Sequence, residues 1–289
     1  MNTYVHPEML VSTQWVFETL GKPGIRLVEV DVDTQAYAAG HLPGAVGFNW
    51  QTQLQDQVNR DILDKSGFEA LLSGAGINRQ DLVVLYGDNN NWFAAYALWL
   101  FKIYGHPEVC LMDGGRGKWL NEADRPLTTQ IPKAAPSSYT AMAPDPTLRA
   151  RVQDVLKAPG SQNLVDVRSK DEYTGAVLAP PGLSETAQRG GHIPGALSVP
   201  WSMAVKLDGT FKEMDELRHI YFVEAGLKPS LGTIAYCRIG ERSSHTWFVL
   251  TYLLGLENVR NYDGSWTEYG SMVGLPIERG AADRIPAGA

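Results

Sequence analysis

Residues 234–247 read Ile-Ala-Tyr-Cys-Arg-Ile-Gly-Glu-Arg-Ser-Ser-His-Thr-Trp, with the cysteine at position 237. The order predicts a short strand, a loop and a helix. A thiol becomes a nucleophile by losing its proton. Backbone N–H groups curling into a helix N-terminus, with Arg238 and Arg242 beside the sulfur, favour that loss. Gly240 permits a positive-φ turn that would fold the following amides inward as an anion-binding nest. Arg242 can offer a bidentate fork to an oxyanion, and Arg238 adds charge at the rim. Glu241 reduces the excess positive charge and is expected to point to solvent. Cys237 is thus the candidate catalytic residue, with Arg238, Ile239, Gly240, Glu241, Arg242 and Ser243 as its substrate-binding loop.

Two reactions use such a loop: attack on phosphorus with the loop holding a phosphate, or attack on a sulfane sulfur with the loop holding a persulfide. Loop length separates them. Cysteine-based phosphatases have one residue more between Cys and Arg, enough to encircle a tetrahedral phosphate, and they add a general-acid aspartate. The shorter loop here suits a single sulfur atom carried on Cys237. Asp166 and Arg168, at the end of an earlier strand, are supporting candidates, either as a structural ion pair or as groups that orient the loop. His245 is three residues beyond Arg242 on the same helix. The second cysteine, Cys110, lies in an apolar run and reads as a buried, inert thiol.

The elements that position the loop occur twice. Leu27-Val28-Glu29-Val30-Asp31 returns as Leu164-Val165-Asp166-Val167-Arg168, His41-Leu42-Pro43-Gly44-Ala45 as His192-Ile193-Pro194-Gly195-Ala196, and Trp50 as Trp201. Tyr86 matches Tyr236 and Asp113-Gly114-Gly115 matches Asp263-Gly264-Ser265, in the same order. In the second copy Leu164–Val167, Ala196–Val199, Thr233–Tyr236 and Val259–Tyr262 read as strands. Asp215–Ala225 and Ser243–Leu254 read as helices. Alternating strand and helix implies an α/β fold, each copy a mainly parallel sheet flanked by helices.

The expected division is residues 1–123, a linker over 124–146, and residues 147–289. The linker holds five prolines and suits a stiff, extended chain. An excursion between Tyr173 and His192, containing Pro180-Pro181-Gly182, is much shorter in the first copy and reads as a surface loop. Where the second copy has Cys237–Arg242, the first has Gly87-Asp88-Asn89-Asn90-Asn91-Trp92, without nucleophile or cation. The second copy is therefore expected to carry the chemistry. Asn89, Asn90, Asn91 and Trp92 are read either as lining a cleft or as interface packing.

Composition excludes several classes. The 289 residues carry a net charge of −7 and show no basic stripe, which argues against nucleic acid as a partner. No apolar run approaches the ~20 residues that span a bilayer, and no signal peptide is visible, so the expectation is a cytoplasmic protein away from membranes. Two cysteines make no disulfide framework, and the clustered Cys/His of a zinc site is absent; no metal and no cofactor are expected.

The Cys-Arg-Ile-Gly-Glu-Arg-Ser loop, the paired His-Xaa-Pro-Gly-Ala boxes and Tyr-Asp-Gly-Ser-Trp at 262–266 resemble the rhodanese family. The resemblance is to its two-domain sulfurtransferases, in particular the actinobacterial type of thiosulfate sulfurtransferase, and it covers nearly the whole chain. It implies tandem rhodanese-like domains, the first inactive and the second catalytic. It also implies a ping-pong reaction, in which Cys237 takes the outer sulfur of thiosulfate, sulfite leaves, and the persulfide passes sulfur to cyanide or a thiol. Within the family, basic residues after the cysteine accompany thiosulfate, and small ones accompany 3-mercaptopyruvate, which is the alternative donor. A persulfide carrier fed by another protein is the reading from a different class. Vertebrate-type members place a substrate-binding arginine just before the tyrosine matching Tyr173; here that position is Glu172.

Overall fold

The computed structural model describes residues 3–133, 135–180, 182 and 186–280. Two compact units emerge, one of Thr3–Pro146 with Val205–Lys212, the other of Thr147–Ala204 with Glu213 onward.

The first unit has strands β1 (Leu10–Val11), β2 (Ile25–Glu29), β3 (Val46–Gly47), β4 (Leu82–Tyr86) and β5 (Val109–Met112). They form one parallel sheet in the order β1-β5-β4-β2-β3. β4 reads Leu-Val-Val-Leu-Tyr without polar alternation because helices cover both sheet faces. Residues 137–142 lie along this unit: Ser137 N–H donates to Ser73 O at 2.9 Å, and Met142 N–H to Tyr104 O at 3.0 Å. Tyr139 is buried there, with its hydroxyl 2.8 Å from His106 Nδ1.

The second unit has strands β6 (Asn163–Asp166), β7 (Leu197–Ser198), β8 (Thr233–Tyr236) and β9 (Val259–Tyr262) in the parallel order β7-β6-β8-β9. These are the four strands expected, β7 shorter than read. The helix expected from Ser243 begins at Glu241, runs as α-helix to Phe248 and continues as π-helix over Val249–Leu253. The excursion before His192 is only partly a surface loop. Pro181 lies outside the described residues, but Ala187 is buried in the core, and Arg189 donates to the carbonyls of Gly270 and Leu275 at 3.0 Å each.

The repeated box does the same work in each unit. His41 stacks on Tyr37 with ring centroids 3.8 Å apart, and His192 stacks on Tyr173 at 3.6 Å. Each tyrosine hydroxyl donates to the carbonyl of the box alanine, Ala45 or Ala196, at 2.8 Å. The hydroxyls of Tyr86 and Tyr236 accept from the amides of Leu42 and Ile193 at 3.1 Å. Each histidine also meets the carbonyl of its stacked tyrosine through Nδ1, at 2.9 and 2.8 Å, so both are structural ties within the box.

Candidate active site

β8 is flanked by β6 and β9, so the chain leaving its C-terminal end enters the fold's ligand-binding edge. Cys237 is the first residue past that strand. Gly240 takes φ +106°, and a Cβ there would stand 2.9 Å from Asp263 Cα, which is why the turn requires glycine. The turn aims the Gly240 amide at Cys237 Sγ, 3.1 Å away. Ser243 Oγ is 3.5 Å from Sγ and 2.6 Å from Asn261 Oδ1. A hydroxyl has one proton, so it serves one of these acceptors at a time.

Residues of β9 and just after it clamp the loop from behind. Cys237 N–H donates to Ser265 Oγ at 3.1 Å, and Ser265 Oγ–H donates to Tyr262 O at 2.6 Å. Trp266 N–H holds Cys237 O, and Thr267 N–H holds Arg238 O, each at 3.1 Å. Asn261 Nδ2–H donates to Gly240 O at 3.2 Å and Ser244 Oγ at 2.8 Å. Sequence reasoning missed Asn261 and Ser265. Their signal was weak: Ser265 stands where the first copy has Gly115, and both take positive φ, 52° and 56°.

The charges are arranged differently from expectation. Glu241 does not point to solvent: it is 1% exposed, and its Oε2 accepts from Cys237 Sγ at 3.2 Å. Its Oε1 lies 3.5 Å from both Arg238 Nη2 and Arg242 Nε, which draw it inward. Arg238 is buried instead of standing at a rim. The Arg242 fork is occupied by Glu172, with Nη1–Oε2 at 2.8 Å and Nη2–Oε1 at 3.0 Å. Glu172 also accepts from Ser169 N–H in the capping box that opens the Lys170–Thr174 helix. The expected thiolate is not favoured by this arrangement. Cys237 is fully buried, and burial followed by the Glu241 carboxylate pushes its thiol up, outweighing Arg242 and Ser243.

Asp166 and Arg168 pair with each other, Nη2 to Oδ2 at 2.6 Å, and Arg168 also donates to Gly191 O at 2.7 Å. The Arg168 guanidinium lies 4.5 Å from the centre of the Trp266 ring, behind the residue whose amide holds Cys237. His245 is buried, kept neutral with its pKa lowered to about 3 by burial, and set edge-on to Trp201.

The corresponding loop of the first unit is closed by its own side chain. Asn89, Asn90 and Asn91 all take left-handed φ, 45°, 56° and 66°. Asn91 Oδ1 accepts from Gly87 N–H at 2.9 Å, while its Nδ2 donates to Met112 O at 2.8 Å. Asn91 occupies the Glu241 position of the repeat and fills the nest with an amide. The cation under the strand end also moves: Arg116, matching Trp266, donates to Glu29 at 2.5 Å, and Asp31 stands where the second copy has Arg168.

The rhodanese-like domain family model matches residues 12–122 and 149–272. A Saccharopolyspora erythraea protein provisionally named thiosulfate sulfurtransferase is 58% identical over 273 residues, 94% of this chain and 96% of that one. The Thermus thermophilus sulfur carrier protein TtuD is 50% identical over 283 residues, 96% of this chain and 99% of that one. Among solved structures, the Escherichia coli 3-mercaptopyruvate sulfotransferase SseA superposes with a TM-score of 0.78 at 27% identity, covering 89% of this chain and 98% of that one.

Proposed function

Since the chain belongs to the rhodanese-like family, we propose that it is a thiosulfate sulfurtransferase that carries sulfane sulfur as a Cys237 persulfide and passes it to cyanide or a thiol. The observation that carries this reading is the Gly240 amide aimed at Sγ from a left-handed turn, in a loop sized for one sulfur. Thiolate attack forms the Sγ–S bond, and sulfite leaves with the electron pair of the broken S–S bond. In the second step the acceptor attacks the outer sulfur and frees Cys237. Residues 147 onward supply this chemistry and residues 1–123 the scaffold copy, and the reaction belongs in the cytoplasm.

Intact-protein mass after thiosulfate treatment is the test. One added sulfur, removed by cyanide and absent in Cys237→Ser, is the expected result; an unchanged wild-type mass would refute the reading.

One observation favours a second reading. Arg238 and Arg242 are balanced by Glu241 in the loop and by Glu172 on the Lys170–Thr174 helix, so these two positive and two negative side chains leave no excess charge for a dianion. That balance suits a persulfide carrier loaded by another protein, and the Thermus relative is named a sulfur carrier protein. Thiocyanate formation with thiosulfate or 3-mercaptopyruvate as donor separates the readings: little turnover with either favours the carrier.

A further inference from the structure

Cys237 faces a problem that its burial creates. Releasing its proton to solvent from a fully buried site would leave an added negative charge in a low-dielectric interior beside Glu241. Handing the proton to a neighbour leaves the total charge unchanged. Glu241 Oε2, 3.2 Å from Sγ and at the first residue of the helix that follows the loop, is placed to receive it. Its other oxygen lies 3.5 Å from two guanidinium nitrogens, which hold the carboxyl group in position.

We propose that Glu241 is the general base that takes the Cys237 proton, keeps it through the persulfide stage and returns it to Sγ. The balance runs as follows. Cys–SH and Glu–COO⁻ become Cys–S⁻ and Glu–COOH. Cys–S⁻ and thiosulfate become Cys–S–S⁻ and sulfite. Cyanide takes the outer sulfur as thiocyanate, and the Cys–S⁻ released recovers the proton from Glu241. The Gly240 N–H at 3.1 Å stabilises the thiolate during the interval.

The charged groups packed around the pair come from four places. Arg238 and Arg242 flank Oε1, and Glu172 on the Lys170–Thr174 helix holds Arg242. Asp263 backs Gly240 and is held by Arg149 at 2.7 Å, and the Asp166–Arg168 pair closes the neighbouring strand end. Each carboxylate outside the Cys237–Glu241 pair thus has an arginine partner. Glu241 is the one carboxylate of the group whose oxygen meets the sulfur.

The chemistry of sulfur loading rests on the function proposed above, so the experiment separates the two. Persulfide formation from thiosulfate is followed by intact mass from about pH 5 to pH 10 in wild type, Glu241→Gln and Glu241→Asp. Loss of a general base is expected to slow Glu241→Gln ~10²-fold at neutral pH, with a rate that climbs about tenfold per pH unit on the alkaline side. Glu241→Asp should recover part of the neutral rate. A Glu241→Gln protein as fast as wild type, or faster, would overturn the proposal, because the carboxylate would then act only as a brake on the thiol. If wild type takes no sulfur from thiosulfate, the donor reading fails on its own. The same comparison is then made with iodoacetamide, mapped to the Cys237 peptide so that Cys110 does not contribute. A slowed, alkaline-shifted Gln profile supports the base, and a faster one refutes it.

Discussion

Glu172→Gln tests the charge arrangement behind the loop. The substitution keeps side-chain volume and leaves an oxygen for Ser169 N–H, since a capping box accepts Gln as well as Glu. What it removes is the carboxylate that meets both Arg242 terminal nitrogens, at 2.8 and 3.0 Å, with both side chains nearly inaccessible. Breaking a buried pair costs about 3–5 kcal/mol because the surviving charge is left uncompensated. Here the amide oxygen and Glu241 Oε1, 3.5 Å from Arg242 Nε, retain part of the compensation. The expected loss is therefore near ~3 kcal/mol, about two powers of ten in the folding equilibrium. Burial pushes the Glu172 carboxyl up, but Arg242 outweighs it and holds the group below its ordinary value. Stability from a lowered carboxyl is present above the unfolded pKa, roughly 4.3, and fades as pH falls through the lower folded value. Urea unfolding, read by hydrogen exchange on peptides covering residues 237–248, should show the full difference at about pH 7 and a shrinking one below about pH 4. A difference under about 0.5 kcal/mol at neutral pH, or one that persists undiminished in acid, would refute the reasoning.

Two further outcomes follow from the same geometry. Gly240→Ala forces a Cβ to within 2.9 Å of Asp263 at φ +106°, so it should destabilise the second unit by about 1–3 kcal/mol and slow sulfur loading at least ~10-fold by turning the 240 amide away from Sγ; thermal melts and loading kinetics check both. Cys110→Ala should leave loading unchanged, because burial raises that thiol to about 12 and it packs in the first unit's core; retention of the added sulfur in the intact-mass assay checks it.

The duplicated scaffold was legible because its signals are local and ordered: a tyrosine ending the central strand, a His-Xaa-Pro-Gly-Ala box, an Asp-Gly turn. Each fixes one piece of backbone, and their sequence order fixes the rest. Cys237 and the Gly240 turn were legible for the same reason. The direction of Glu241 was not, since a glutamate in a first helical turn ordinarily reaches water, and only the buried arginines draw it inward. The Glu172–Arg242 pair spans 70 residues, and no periodicity announces a contact at that range. The asparagine plug in the first unit was visible as three polar letters, but the left-handed backbone that turns Asn91 inward was not.

The exchange of cations between the two copies has a consequence for descent. In the first unit the cation is Arg116, paired with Glu29, and Asp31 holds the position of Arg168; in the second it is Arg168, paired with Asp166, and Trp266 holds the position of Arg116. Converting one arrangement into the other needs three substitutions, Glu29→Asp, Asp31→Arg and Arg116→Trp. Arg116→Trp alone leaves the buried Glu29 without its guanidinium, while Asp31→Arg alone adds a second cation to a unit that still holds Arg116. The first copy therefore differs from its sibling in its buried charges as well as in having glycine at the cysteine position, so a thiol placed at Gly87 would meet a different electrostatic setting.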